Sequence, residues 1–291
     1  MVGMTKKRKI FWLSIFLLPN LLGVLFFIFI PIVSSFVISF SDWDLIGEFH
    51  FNGFENYVRL MHDAEFWLSF KNTFQFILGY IPLVVVFGLG AALLLNQKMF
   101  FRNTFRAIYF LPVVTSWVAV SLVWKWLYNP NFGLLNYLLS LVGLSGPEWI
   151  NNPDTAMFSI ILTSVWKDIG FVMVIFLGGL QSIPPSYYEA ASMDGANGFR
   201  KFLSITLPLL APTTFFVVII SLINSFQVFD QVMIMTEGGP AGATTVLVQN
   251  IYNHAFRYNE MGYAAAMSWI LFLVIFIFTF IQMKIQKKGA N

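Results

Sequence analysis

Glu189-Ala190-Ala191-Ser192-Met193-Asp194-Gly195-Ala196, followed by Phe202, Ile205, Leu207-Pro208 and Pro212, lies between the fourth and fifth of six long apolar stretches. Pro184-Pro185 cannot continue the preceding helix, so the chain turns there. Ser186 is spaced to cap a new short helix over Tyr187 to Met193, with Glu189 three residues on as in a capping box. Gly195 supplies a helix stop. Asn197 to Ile205 restarts, and Leu207-Pro208 bends the entry into the next apolar stretch. The small side chains of Ala190 and Ala191 admit a close neighbour. Two short helices at an angle, tied to two membrane spans, suit a mechanical coupler to a soluble partner.

The rest of the chain supplies the membrane. Of its 291 residues 58% are hydrophobic and 11% charged, and the mean hydropathy of +0.74 excludes a soluble domain. About 20 apolar residues in a helix cross roughly 30 Å of hydrocarbon. Ile10 to Phe40, Asn72 to Gln97, Ala107 to Trp124, Phe202 to Phe229 and Met261 to Met283 carry no charge, and Thr155 to Gln181 carries only Lys167 and Asp168. These runs predict an all-α membrane protein of one domain, residues 1–291, with six transmembrane helices. The spans fall near residues 10–40, 72–97, 104–128, 155–181, 203–235 and 261–285, and a cytoplasmic coupling loop covers 182–204. Residues 131–147 are too short for a seventh span. Leu134, Leu135, Leu138, Leu139 and Leu141 there predict a helix lying along the surface. The basic stretch Met1 to Lys9 precedes an apolar run much longer than a signal core, with no small-x-small cleavage site, and reads as leading into a retained first span.

Basic residues mark the cytoplasmic side of short loops. Lys6, Lys7, Arg8, Lys9, Lys98, Arg102, Arg106, Arg200, Lys201, Lys284, Lys287 and Lys288 all fall on one side, leaving five of the 17 Lys and Arg elsewhere. Most acids fall opposite: Asp42, Asp44, Glu48, Glu55, Asp63, Glu65, Glu148, Asp154, Glu237 and Glu260. Both termini and the Glu189 loop are therefore expected in the cytoplasm. The outer loops, near residues 42–67, 128–154 and 236–263, are long enough either to dock an external protein or simply to cap the bundle.

Several chemistries are excluded. There is no cysteine, hence no disulfide or thiol chemistry. No Gly-x-x-x-x-Gly-Lys-Ser/Thr run can cradle nucleotide phosphates. His50, His62 and His254 are scattered without metal-ligand spacing. No Ser, His and acid set supports nucleophilic catalysis, and the basic residues sit at membrane ends rather than forming a nucleic-acid site.

The loop resembles the EAA loop of bacterial ABC importer permeases, on Glu189, Ala190, Ala191, Asp194, Gly195, Ala196, Phe202, Ile205, Leu207, Pro208 and Pro212. Leu111-Pro112 at the opening of span three, Ser182-Ile183-Pro184, Thr236-Glu237-Gly238-Gly239-Pro240 and Ala264-Ala265-Ala266 resemble the carbohydrate branch of that family. The resemblance runs from about Phe16 to Lys284 and is to the short six-span form of the maltose-transporter type. It implies a type I ABC importer permease fold and no enzyme activity of its own. It implies that Glu189, Ala190, Ala191, Asp194, Gly195 and Ala196 seat in a groove of a cytoplasmic ATPase, which binds ATP and Mg. The implied partners are a second homologous permease, two ATPase subunits and an extracytoplasmic sugar-binding protein, in a bacterial cell membrane.

Polar groups within a span face a cavity or the bundle interior. Trp166, Lys167, Asp168 and Phe171 in span four are candidates for a sugar pocket: a ring covers the C–H face of a sugar and an ionised group bonds its hydroxyls. These are also the positions at which the resemblance implies sugar contact. The alternative is that Lys167 and Asp168 neutralise each other or a neighbouring helix. In span five Ser221, Asn224, Ser225 and Val228 share one helical face, and Gln227, Asp230 and Gln231 continue the polar character one turn higher. The resemblance implies sugar contact on this span too. The alternative there is interhelical hydrogen bonding. Asp230 either faces water or pairs with Lys125. The function so implied is ATP-driven uptake of a sugar or oligosaccharide. The rival readings are an importer permease for another solute, such as glycerol phosphate, and an ion-coupled secondary transporter.

Overall fold

A computed structural model describes the backbone of residues 6–44, 46–97 and 99–289. Lys98, and the side chains of Lys6, Arg8, Lys9, Lys287 and Lys288, lie outside the described residues. Among the described residues the regular structure is helical apart from one two-stranded antiparallel hairpin, in which Ser41 faces Phe51 and Asp42 faces His50. Among the described residues four helices are long and apolar enough to cross a membrane: Trp12–Ile38, Ala64–Asn96, Pro153–Ser182 and Met261–Lys284. Two bent pairs qualify as broken spans, Arg102–Val114 with Trp117–Leu127 at 98° and Gly198–Leu209 with Ala211–Phe226 at 63°. Six crossings result when each bent pair counts once. A helix satisfies its own backbone bonds, which is what permits crossing a water-free layer. Apolar side chains such as Leu78, Val86 and Phe87 remain exposed, as a lipid-facing surface requires.

The helices depart from the predicted spans in three places. Span two begins at Ala64 rather than near residue 72. Span three does not run continuously over 104–128, and Leu111-Pro112 lies just before its break rather than at its opening. Thr115 leaves the helix and its N–H bonds the Pro112 carbonyl at 3.2 Å, while Ser116 Oγ accepts from Val118 N at 3.3 Å and caps the second segment. The helix of span five ends at Phe226, and a separate helix, Asp230–Met235, follows. The stretch 131–147 holds a short helix, Leu134–Leu141, with Leu134, Leu138 and Leu141 exposed.

By packing, the chain divides into two compact units. The first contains the described residues up to Asp63 together with Ile251–Phe272. Within it Asn56 Nδ2 donates to the carbonyls of Ser39 and Ser41 at 3.0 and 2.9 Å. Phe36 packs edge-on against Trp269 at 4.9 Å between ring centres. Arg59 donates to both carboxylate oxygens of Glu260, each at 2.9 Å, and lies 4.0 Å over the Tyr263 ring. His254 Nδ1 sits 2.7 Å from the same carboxylate, and Tyr263 donates to Asp63 at 2.5 Å.

This network contributes to the acid response of the unit. Burial pushes the Glu260 carboxyl up, but the bonds from Arg59 and His254 outweigh it and hold the group below its ordinary value. A carboxyl depressed by folding contributes stability above its unfolded value, and that contribution is lost as pH falls through the lower, folded value. Glu260→Gln should therefore flatten the stability decline below about pH 4.5, read as thermal midpoint against pH in detergent. The pair is half-exposed, so the contribution is no more than about 1 kcal/mol. A variant declining as steeply as wild type would remove Glu260 from the account.

The second unit comprises Ala64–Asn250 and the described part of Leu273–Asn291. Its centre is the packing of span two on span four. Val84, Ala92, Ile160, Met173 and Phe176 are fully covered there, and Gly79 and Gly88 lie directly against Ile161 and Val172. Small residues at such crossings let backbones approach, which is how helices associate without a hydrophobic drive from lipid. The buried Tyr128 donates to the Ser159 carbonyl at 3.0 Å. Asn72 Nδ2 donates to the carbonyls of Gly242 and Thr245 at 2.9 and 3.0 Å, and Thr73 Oγ1 accepts from Leu247 N at 3.0 Å. These bonds pin the Thr236–Thr245 loop to span two.

Candidate functional site

Two places carry the sequence motifs, a cavity within the second unit and the segment between spans four and five. The cavity, of about 300 Å³, has aromatic walls from Phe76, Tyr80, Trp117 and Phe229. Its polar groups are Ser164, Asp168, Asn224, Ser225, Gln227, Asp230 and Gln231, and Val228 completes the lining. The helix spacing explains the convergence. Phe76 and Tyr80 stand one turn apart on span two and stack at 5.3 Å. Ser164 and Asp168 stand one turn apart on span four. Tyr80 donates to Asp168 Oδ2 at 2.8 Å, which fixes the carboxylate while leaving its other oxygen unspent on this bond. Gln231 Nε2 donates to Ser164 Oγ at 3.3 Å.

The break after Phe226 matters to this geometry. A continuous helix would carry Gln227 and Gln231 onward along the face of Asn224 and turn Asp230 away from it. Instead the helix stops at Phe226, Phe229 takes φ −149° and ψ −61°, and a new helix starts at Asp230. That corner places Gln227 through Gln231 in succession around the cavity.

Of the predicted pocket residues, Asp168, Asn224, Ser225, Gln227 and Val228 line the cavity, whereas Trp166, Lys167, Phe171 and Ser221 do not. Neighbouring residues on a helix point about 100° apart, so Lys167 and Asp168 part. Lys167 donates to the Val113 carbonyl at 3.1 Å and lies 4.7 Å over the Trp117 ring, so it is held by the broken end of span three rather than by Asp168. Trp166 packs against Trp124 at 5.4 Å. Ser221 is buried and its carbonyl accepts from Ser225 Oγ at 2.6 Å. Lys125 donates to the Ile234 carbonyl at 3.0 Å, and Asp230 borders the cavity. Phe76, Tyr80, Trp117, Ser164 and Phe229 were absent from the sequence expectation. A tyrosine hydroxyl midway along an uncharged span demands a partner, and that signal points to Tyr80.

The second place is the helix Pro185–Met193. Its cap differs from the expectation: Pro184 precedes it, Pro185 occupies the first helical position and no side chain caps it. Proline is favoured there because its missing N–H would be unpaired anyway, so Ser186 and Glu189 form no capping box. The other end is as expected. Gly195 adopts φ +73°, its N–H bonds the Ser192 carbonyl at 3.1 Å, and Ala196 N bonds the Ala191 carbonyl at 2.9 Å. That pair of bonds is a Schellman motif. Asn197 Oδ1 then accepts from Arg200 N at 2.9 Å and starts Gly198–Lys201. Glu189, Ala190, Asp194 and Gly195 are exposed, and Ala191 and Ala196 are half-buried. The bend ahead of span five falls at Leu210, between Pro208 and Pro212.

The profile of binding-protein-dependent transport system inner membrane components matches residues 84–289. The chain belongs to this permease family. The permease is 37% identical over 283 residues to the trehalose/maltose transport system permease protein MalF of Thermococcus litoralis, covering 97% of this chain and 95% of that one. It is 35% identical over 275 residues to the arabinooligosaccharides transport system permease protein AraP of Bacillus subtilis, covering 94% and 87%. A chain from the crystal structure of a bacterial alginate ABC transporter, in complex with an alginate pentasaccharide-bound periplasmic protein, superposes with a TM-score of 0.83 at 24% identity, covering 94% and 93%. That likeness shows the fold, the type I importer permease fold.

Proposed function

We propose that the permease forms half of the transmembrane path of an ATP-driven importer for a sugar or oligosaccharide. The observation that carries this reading is the cavity: aromatic walls, several neutral hydrogen-bonding side chains and two carboxylates, Asp168 and Asp230. Rings cover the C–H faces of a sugar, and carboxylates and amides take its hydroxyls. Among the described residues no Lys or Arg lines the cavity, which disfavours a phosphate ester such as glycerol phosphate. The sugar-transport names of its relatives support the same class.

The partners are a second homologous permease, an extracytoplasmic binding protein that delivers the sugar, and two cytoplasmic ATPase subunits that bind ATP and Mg. Lipid surrounds the spans, nucleic acid plays no part, and both termini lie in the cytoplasm. Glu189, Ala190, Ala191, Asp194, Gly195 and Ala196 form the surface that seats on the ATPase. Nucleotide binding favours one arrangement of the ATPases, and the loop passes that preference to the bundle.

Vesicle uptake by the reconstituted complex tests the pocket. Asp168→Asn and Asn224→Ala should each weaken apparent affinity or rate by about tenfold, about one good hydrogen bond to a charged or well-placed group. ATPase co-purification should be unchanged. Unaltered uptake in both variants would refute the pocket. Uphill transport by the chain alone under an ion gradient would establish the secondary-transporter reading instead.

A further inference from the structure

Away from the cavity, two arginines meet at the Gln181 end of span four. The Gln181 amide, oriented with its oxygen toward them, accepts from Arg102 Nη2 and Arg106 Nη2, each at 3.1 Å. Two full positive charges thus share one neutral oxygen and lie within a Debye length, about 8 Å, of each other. Among the described residues the ion pairs are Glu48 with His50 and Glu260 with Arg59 and His254, so neither arginine pairs with a carboxylate. The Nε of each is buried without a hydrogen-bond partner, so water relieves little of the repulsion on that side.

The backbone does not neutralise them. The C-terminus of Pro153–Ser182 contributes roughly half a negative charge. Arg102 and Arg106 themselves open the helix Arg102–Val114, whose N-terminus contributes roughly half a positive one. That N-terminus has no acidic residue in its first turn and no side-chain cap. Two cations at a positive helix end, with unpaired first-turn amides, form an arrangement that an anion completes.

The surroundings indicate which anion. Met99, Phe100, Phe101 and Phe105 flank the arginines and are exposed, Phe100 at 85%. Apolar side chains beside a cationic pair at the end of a membrane span fit a lipid, with acyl chains against the rings and the headgroup against the guanidiniums. We propose that Arg102, Arg106 and the amides opening the helix Arg102–Val114 bind the phosphate of an anionic phospholipid, with Gln181 orienting the two guanidiniums.

The test uses the purified full-length chain in mild detergent, delipidated and then supplied with phosphatidylglycerol or phosphatidylcholine. Native mass spectrometry counts retained lipid and thermal unfolding reads protection. Phosphatidylglycerol should be retained about tenfold better than phosphatidylcholine, with a higher thermal midpoint, and added salt should erode that preference. Arg102→Gln with Arg106→Gln should bring phosphatidylglycerol down to the phosphatidylcholine level. Arg102→Lys with Arg106→Lys should restore part of it, since charge returns without the planar fork. Should the glutamine variant fail to fold, the salt-dependent lipid preference of the unmutated chain decides alone. Equal retention of the two lipids would overturn the proposal, as would undiminished phosphatidylglycerol in a folded glutamine variant. Equal protection by inorganic phosphate would assign the site to a free anion. Loss of ATPase co-purification with lipid retention unchanged would assign it to a protein carboxylate.

Discussion

Gly170→Val should prevent the second unit from packing. A side-chain carbon built on Gly170 collides with the Tyr109 carbonyl and also meets Phe110 Cα at 3.1 Å. The obstacle is backbone, so no rotamer change on the neighbouring helix relieves it. Overpacking inside a close-packed interior costs about 1–3 kcal/mol, and backbone that cannot yield puts this case at or above the upper end. The consequence extends beyond stability, because that contact seats Arg102–Val114 on span four, and Lys167 bonds the Val113 carbonyl close by. Gly178→Ala supplies the control, since a carbon at Gly178 meets nothing within 4 Å. Size-exclusion profile and thermal midpoint in detergent compare the two. A Gly170→Val protein as monodisperse and heat-resistant as the Gly178→Ala protein would contradict the packing described.

Glu189→Lys should reduce uptake by about a hundredfold, equal to roughly 2.7 kcal/mol of lost coupling, while insertion into the membrane is unaffected. The side chain is exposed and caps nothing. The helix that carries it is started by Pro185 and closed by the bonds at Gly195 and Ala196. Reversing its charge therefore leaves the local fold in place and changes only what the surface presents to a partner. Uptake in vesicles and co-purification with the ATPase read the outcome. Normal uptake with the lysine in place would remove Glu189 from the coupling surface.

The outline of the fold was readable because lipid imposes a simple demand. Uncharged runs had to be helices, and long helices stand at Trp12–Ile38, Pro153–Ser182 and Met261–Lys284. Where backbone chemistry competes with hydropathy, the reading ran on too far. Ala107 to Trp124 contains the corner at Thr115 and Ser116, and Phe202 to Phe229 contains those at Leu210 and Phe229. Hydropathy is blind to such corners, because a capped break inside a bundle stays apolar in composition. Span two differs in the opposite sense: the uncharged run begins only at Asn72, after Glu65 and Lys71, yet the helix extends back to Ala64.

The lining of the cavity was half legible. Asn224, Ser225, Gln227 and Val228 were found from polarity and spacing, and all border the cavity. Lys167 and Trp166 carried equally conspicuous chemistry but turn toward span three, with Val113, Trp117 and Trp124. A one-residue difference in helical phase decided between cavity and neighbour, and a sequence without its neighbours cannot supply that phase. Tyr80 lies on another span, and its pairing with Asp168 joins residues 88 positions apart.

The elbow at Leu210 carries a mechanical ratio. Gly198–Leu209 is a rod of twelve residues, roughly 18 Å long, meeting Ala211–Phe226 at 63°. Moving its tip by one helical rise, about 1.5 Å, swings it by only about 5°. An elbow of that reach would convert a displacement of its tip into a small rotation at the joint, and replacing the flanking Pro208 and Pro212 would change the stiffness of the joint without touching either end.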